Sequence, residues 1–415
     1  MNKPSIAIIF LTVFIDLIGF GIVLPLIPIY STHYGASAVL GGLIMASFSA
    51  MQFVFAPFWG RLSDRIGRRP VILIGLSGST ISYLIFGVAS ALDGEMKQYA
   101  LWVILGSRLL AGVMGANISV AQAYMADITP PEKRSKSMGL IGMAFGLGFI
   151  LGPVVGAQSL RLGRSGPGWV AAGFCFLAFL YALAKLRESR SGSVGAVPQR
   201  PHFAQIAHVL RQPQVGLLVG LFFLATFCFS TFETTLGWLV QNNFSLDATT
   251  EKDAQTVSYL FAFAGFVGAM VQGGAIGRLV KMFGEKKLIV ISLALTGLSL
   301  GPLPFAREWL PFLAVLGGLA VGSSMARAPI FGMISINAPA SEQGATIGVA
   351  QSAGSLARIA GPVFAGAAFQ YRQDLPYLVC GGISIVAALI AAVKLVDVKH
   401  EPAGTSEDAP AVAEA

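Results

Sequence analysis

Apolar runs of about 20 residues, separated by short charged loops, recur twelve times along the chain and constrain it more than any other feature. A hydrocarbon core about 30 Å thick is crossed by about 20 helical residues. The runs fall near 5–30, 38–59, 70–92, 99–127, 137–158, 168–184, 215–240, 256–276, 288–305, 310–336, 344–370 and 376–396. Of the 415 residues, 55% are hydrophobic and 12% charged, against roughly 25% charged in a soluble domain. A soluble fold could not hide that much apolar surface, so lipid must be the solvent. In lipid every backbone polar group must pair internally, which predicts helices. The expected fold class is therefore an all-α membrane protein of twelve transmembrane helices.

The loop charges orient it. With the N-terminus in the cytoplasm, 19 of the 28 Lys and Arg residues fall on the cytoplasmic side and six on the other. Arg108, Arg327 and Arg358 lie inside spans. The asymmetry predicts both termini inside. The first run lacks a small-residue cleavage site and is too long for a signal core, so it reads as a helix. The net charge of +8 comes without a basic stripe of the nucleic-acid kind, so no nucleic-acid partner is expected. Cys175, Cys228 and Cys380 sit in apolar runs without metal or disulfide spacing, and no histidine lies inside a span. No metal is expected. The polar stretch 185–214 divides a bundle at 1–184 from another at 215–400, and the Ala-, Pro- and acid-rich tail 401–415 is expected to be disordered.

The chain repeats itself. G-R-L-S-D-R-I-G-R-R over Gly60 to Arg69 returns as G-R-L-V-K-M-F-G-E-K over Gly277 to Lys286, 217 residues on. The same offset carries Asp16, the one acid of the first span, onto Glu233, the one acid of the seventh. Gly152-Pro153 recurs as Gly361-Pro362. Two parallel six-helix repeats about an axis along the membrane normal follow, hence two pseudo-symmetric six-helix bundles.

Four motifs in order make the chain resemble the major facilitator superfamily, and within it the proton-driven drug exporters that include the tetracycline-resistance proteins. They are Asp16 to Pro25 (D-L-I-G-F-G-I-V-L-P), the loop Gly60 to Arg69, Arg108 to Gly115 (R-L-L-A-G-V-M-G), and Gly148 to Gly156. The last resembles the family's antiporter helix through Gly148, Gly152, Pro153 and Gly156. The resemblance covers about residues 1–400. The chain departs from the tetracycline exporters in lacking a histidine in the eighth span and an acid in the ninth. That argues against tetracycline as substrate.

An ionisable group at bilayer depth is costly unless it faces a cavity or a partner, so it reads first as functional. Asp16 lies among Gly19, Gly21, Pro25 and Pro28, and Arg108 lies at comparable depth in the fourth span. The expectation is that both face one central cavity, with Arg108 holding Asp16 ionised and a proton or cationic substrate competing for it. A static buried pair pinning two helices is the plainer alternative. The resemblance places the same two residues at coupling positions. Glu233 and Arg358 either pair, or Glu233 is a second protonation site, or Arg358 meets an anionic substrate group. Arg327, with Pro329 close by, reads as open to water. Asp64 could cap the eleventh helix near Gly344, which the resemblance suggests, and Arg68 could pair with Asp127, so that Gly60, Asp64, Gly67, Arg68 and Asp127 form a gate. The glycines of the fifth span make a packing groove, which the antiporter resemblance would set between the halves. Gln52, Asn117, Gln122, Gln272, Asn337 and Gln351 either line the cavity or bond a neighbouring helix.

These readings converge on a secondary transporter, with no cofactor and a proton gradient as energy source. Proton-coupled export of small amphipathic compounds, cationic or zwitterionic, leads; import by symport or uniport is the rival, since only coupling differs. An enzyme would need a catalytic motif such as G-x-S-x-G or H-E-x-x-H, and an ATP-driven pump a G-K-[ST] loop; none is present. The expected setting is a bacterial inner membrane, with lipid, protons and a small molecule as partners and a monomer as the working unit.

Overall fold

A computed structural model describes residues 5–129, 134–189, 202–247, 250–338 and 343–396. Among them every regular element is helical. The first crossing is two pieces, α1 (Ile6–Val23) and α2 (Leu26–His33). Pro25 stands between them; proline lacks the N–H that would continue the ladder. Next come α3 (Ala38–Ile66) and α4 (Arg68–Ser90). Ser37 caps α3, its hydroxyl accepting from the Leu40 N–H at 3.3 Å, a side-chain bond that satisfies one of the free amides of a helix start. The fourth crossing is again split, into α5 (Ala100–Gly115) and α6 (Ile118–Asp127). The first half closes with α7 (Arg134–Ser159) and α8 (Gly166–Lys185).

A short α9 (His202–Arg211) precedes the second half, which begins with α10 (Pro213–Phe244). Next, α11 (Glu251–Ala269) runs through a π turn at Met270–Ala275 into α12 (Ile276–Leu300). The chain ends in α13 (Trp309–Asn337), α14 (Gln343–Tyr371) and α15 (Leu375–Lys394). Much of the expected linker, 190–201, and the tail 401–415 lie outside the described residues.

Nine stretches among the described residues are long and apolar enough to span a membrane. One of them, Glu251–Phe305, is two crossings joined at Gly284, where φ is +75°. With the proline-containing α7 and α14, which complete the bundles, the crossings number twelve.

The repeat is visible in the backbone. Gly67, between the second and third crossings, has φ +101°, and Gly284 occupies the same place between the eighth and ninth. Both adopt a positive φ that costs glycine least. Packing repeats too: α7 lies on α1 as α14 lies on α10, and α4 on α8 as α12 on α15. Between the halves α3 meets α14 and α11 meets α7, the same pair of positions exchanged.

Close approaches between the halves cluster at the end opposite the termini. A Cβ on Gly42 would meet the Pro362 carbonyl, and one on Gly366 the Ala38 carbonyl. One on Gly265 would come within 2.8 Å of the Phe149 oxygen. Trp238 Nε1 donates to Pro28 O at 3.1 Å, and Gln158 Nε2 to the Tyr259 hydroxyl at 2.5 Å. Small residues at these crossings let backbones touch, which is how helices associate without a hydrophobic drive between them.

Candidate functional site

Asp16 and Arg108 do not meet. Asp16 Oδ1 accepts a hydrogen bond from Cys175 Sγ of α8 at 3.3 Å. On its other side is a crevice lined by Thr12, Ile72, Leu76, Asn117 and Ala121, with room for about one water. Arg108, 1% exposed, lies over the rings of Tyr83 and Phe86 on α4, its carbon 5.2 Å from each centroid. Its Nε and Nη2 have no hydrogen-bond partner. No ion pair joins Arg108 to Asp16 among the described residues; Tyr83 and Cys175 stand in their neighbourhood instead. The expected pair at one central cavity is thus corrected. Both side chains turn into the first bundle, toward α4 and α8, because similar depth along two helices does not fix the direction each side chain takes.

Glu233 is 8% exposed on α10, and Arg358 of α14 is half-buried. They lie within each other's field but not within ion-pair distance, so the pairing option is not realised here. Arg327 of α13 is exposed, its guanidinium 6.0 Å from the Phe222 centroid and 5.8 Å from that of Phe331.

The signature loop forms a corner within the first half. Arg68 Nη1 is 2.8 Å from Asp64 Oδ1, and its Nε is 3.1 Å from Asp127 Oδ2. The Arg68–Asp127 contact joins α4 to α6 of the same bundle, so it does not itself tie the halves together. Asp64 is expected to cap the eleventh helix near Gly344; the residues that lead into that helix, 339–342, lie outside the described residues. Gly60 has open space around its Cα.

Glu188 was not foreseen. Its carboxylate accepts from the backbone N–H of Arg68 at 2.9 Å and of Arg69 at 3.1 Å, capping α4 beside Gly67. Asp127 also accepts from Ser189 at 3.0 Å. An acid at a helix start answers both the unpaired amides and the helix dipole. Glu188→Ala should therefore destabilise the protein by about 1 kcal/mol, read as a lower thermal midpoint of the purified protein. An unchanged midpoint would remove the cap from the account.

The glycines of α7 face α1, not the opposite half. A Cβ on Gly152 would fall 2.5 Å from Gly21 Cα, one on Gly156 2.8 Å from Ile22 O, and one on Gly148 3.0 Å from Leu17. Pro153 lies within the helix. The neighbouring face, at Phe149 and Ile150, is the one that meets Gly265 of α11. Gln52 donates to the Gly115 carbonyl at 3.2 Å, bonding α3 to the break in the fourth crossing, and buried Asn117 packs against Gly75. Asn337 bonds its own helix at Met333 O, 2.8 Å away. Gln122 and Gln351 are half-buried, and Gln272 is exposed within the π turn. Such turns are frequent at functional positions.

A model of the Major Facilitator Superfamily matches residues 9–281 and 273–414. The tetracycline resistance protein, class E, of Escherichia coli is 31% identical, over 94% of this chain and 95% of its own length. Multidrug resistance protein 2 of Bacillus subtilis is 27% identical, over 93% and 94%. The crystal structure of the human organic anion transporter TETRAN is similar at a TM-score of 0.68 and 26% identity, covering 93% of this chain and 98% of that one. Family, relatives and fold agree on a multi-pass membrane transporter of small molecules and not an enzyme: the chain belongs to the Major Facilitator Superfamily.

Proposed function

We propose that this transporter exports small amphipathic compounds in exchange for protons, by alternating access. The observation that carries the reading is one acid per half, Asp16 and Glu233, at equivalent positions of the repeat and without an ion-pair partner among the described residues. Charging such a carboxylate at bilayer depth is costly unless water or a cation reaches it. Its proton occupancy therefore follows the side from which water enters, which is what coupling requires. The repeat supplies the alternation: the α3–α14 and α7–α11 contacts close one end, and rocking of the halves would exchange the open end for the closed one.

The basic loops support termini in the cytoplasm of a bacterial inner membrane, so the closed end is the outer one. The bundles at 1–184 and 215–400 then act as the rocking bodies, joined by the 185–214 linker, and one copy suffices. Relatives named for tetracycline and multidrug resistance support drug-like cargo. Gln272 and Gln351 are candidate polar groups for meeting it.

Inside-out vesicles with an acidic interior, given a panel of lipophilic compounds, test the proposal. Export predicts accumulation of at least one compound, lost on adding a protonophore. Compounds moving in the same direction as protons would establish the symport alternative instead, and accumulation indifferent to the protonophore would remove coupling altogether.

A further inference from the structure

Deep within the spans three guanidinium groups stand against two carboxylates in number, and the excess lies in the second half, where Arg327 and Arg358 outnumber the single acid Glu233. Neither arginine has an ion-pair partner within 4 Å among the described residues, and the one hydrogen bond of Arg358, to Ser355 Oγ at 3.5 Å, is long. Both arginines lie on helices that pack against Phe222. Phe222 of α10 touches α14 at Gly354, where a Cβ would lie 2.7 Å from its ring. Arg358 follows Gly354 by four residues and so sits on the same helix face one turn on. Arg327 lies over Phe222 and over Phe331, and those rings are 4.9 Å apart in a T-shaped arrangement. The two positive charges act on one another.

Arg327 is exposed although it sits in mid-helix between Trp309 and Asn337. A guanidinium turned to hydrocarbon at that depth would be prohibitive, so the exposed surface belongs to a watered cavity. Two cations within one another's field, one of them held over two rings and neither in an ion pair among the described residues, are an anion receptor in waiting; guanidinium forks bind carboxylates with charge-assisted bonds.

We propose that Arg327 and Arg358 form an anion subsite in the second half, which takes the carboxylate of an aromatic organic acid, with Phe331 beside its ring. The subsite rests on the transporter reading above and names its cargo, but depends on neither the direction of transport nor its coupling.

Binding of 1-naphthoate and of neutral 1-naphthamide to the purified full-length protein, measured by calorimetry at one pH without any gradient, tests this. The acid should bind at least ten times tighter than the amide. Arg327→Gln and Arg358→Gln should each bring naphthoate down to the affinity of naphthamide while leaving naphthamide unchanged, and Arg358→Lys should keep part of the preference. Equal binding of the two probes to the unaltered protein, or no binding of naphthoate, overturns the subsite whether or not the variants fold. So does a preference that survives both glutamine substitutions. Loss of protonophore sensitivity in vesicles with the naphthoate preference intact would sink proton coupling alone.

Discussion

Asp16→Asn should bring pH-gradient-driven export down to the level of empty vesicles, while exchange of labelled for unlabelled cargo at equal pH persists. The amide has nearly the shape of the acid and can keep the contact with Cys175 Sγ, which lies 3.3 Å from the carboxylate. What it loses is the exchangeable proton. With that site no longer titrating, the carrier can still bind cargo and reorient with it but cannot draw on the gradient. Glu233→Gln removes the matching acid of the other half and should lower the number of protons moved per cargo molecule. Flux ratios in reconstituted vesicles read both effects. Normal gradient-driven export by Asp16→Asn would take the first acid out of the coupling route.

Depth along a helix is legible in a sequence; direction around it is much less so. The twelve runs of hydrophobic residues mark the crossings to within about eight residues, since length and hydropathy are one-dimensional properties. The repeat was legible as well, because Gly67 and Gly284 recur at a fixed offset and both adopt positive φ. Asp16 and Arg108 were matched by depth, yet each turns into the first bundle, where Cys175 and Tyr83 receive them. Nothing in the sequence marks those two: a cysteine and a tyrosine in apolar runs read as packing, and only the meeting of α1, α4 and α8 gives them polar company. Arg327 and Arg358 are visible as isolated charges, but the packing of both their helices against Phe222 depends on three helices distant in the chain. Glu188 escaped notice because a loop acid after a span is common, and its hold on Arg68 and Arg69 spans about 120 residues. The glycines of α7 announced close packing correctly, but their spacing could not say which helix they would pack on.

That last distinction separates two kinds of glycine and sets a second large effect. Gly42 and Gly366 lie where α3 meets α14, each with the other helix's backbone carbonyl in the place its Cβ would take. Gly152 instead meets Gly21 Cα, 2.5 Å from its would-be Cβ, inside one bundle. Rigid backbone on the far side leaves no rotamer to give way, and overpacking of this kind costs about 1–3 kcal/mol or more. At Gly42 the strain exists only while the halves touch, so Gly42→Val should favour separation of that end by roughly tenfold or more in population. Ile29, fully buried on α2 beside Gly237 of α10, can report it as Ile29→Cys. The three natural cysteines are buried and give little background. A membrane-impermeant maleimide should label Ile29→Cys slowly in the parent and at least about ten times faster once Gly42→Val is added, with export lost because the outer end no longer closes. Gly152→Val should behave otherwise, lowering the yield of folded protein without faster labelling, since its clash is present in either state. If Gly42→Val leaves labelling unchanged, the α3–α14 contact is not the outer closure, and the alternation must be carried by the α7–α11 contact instead.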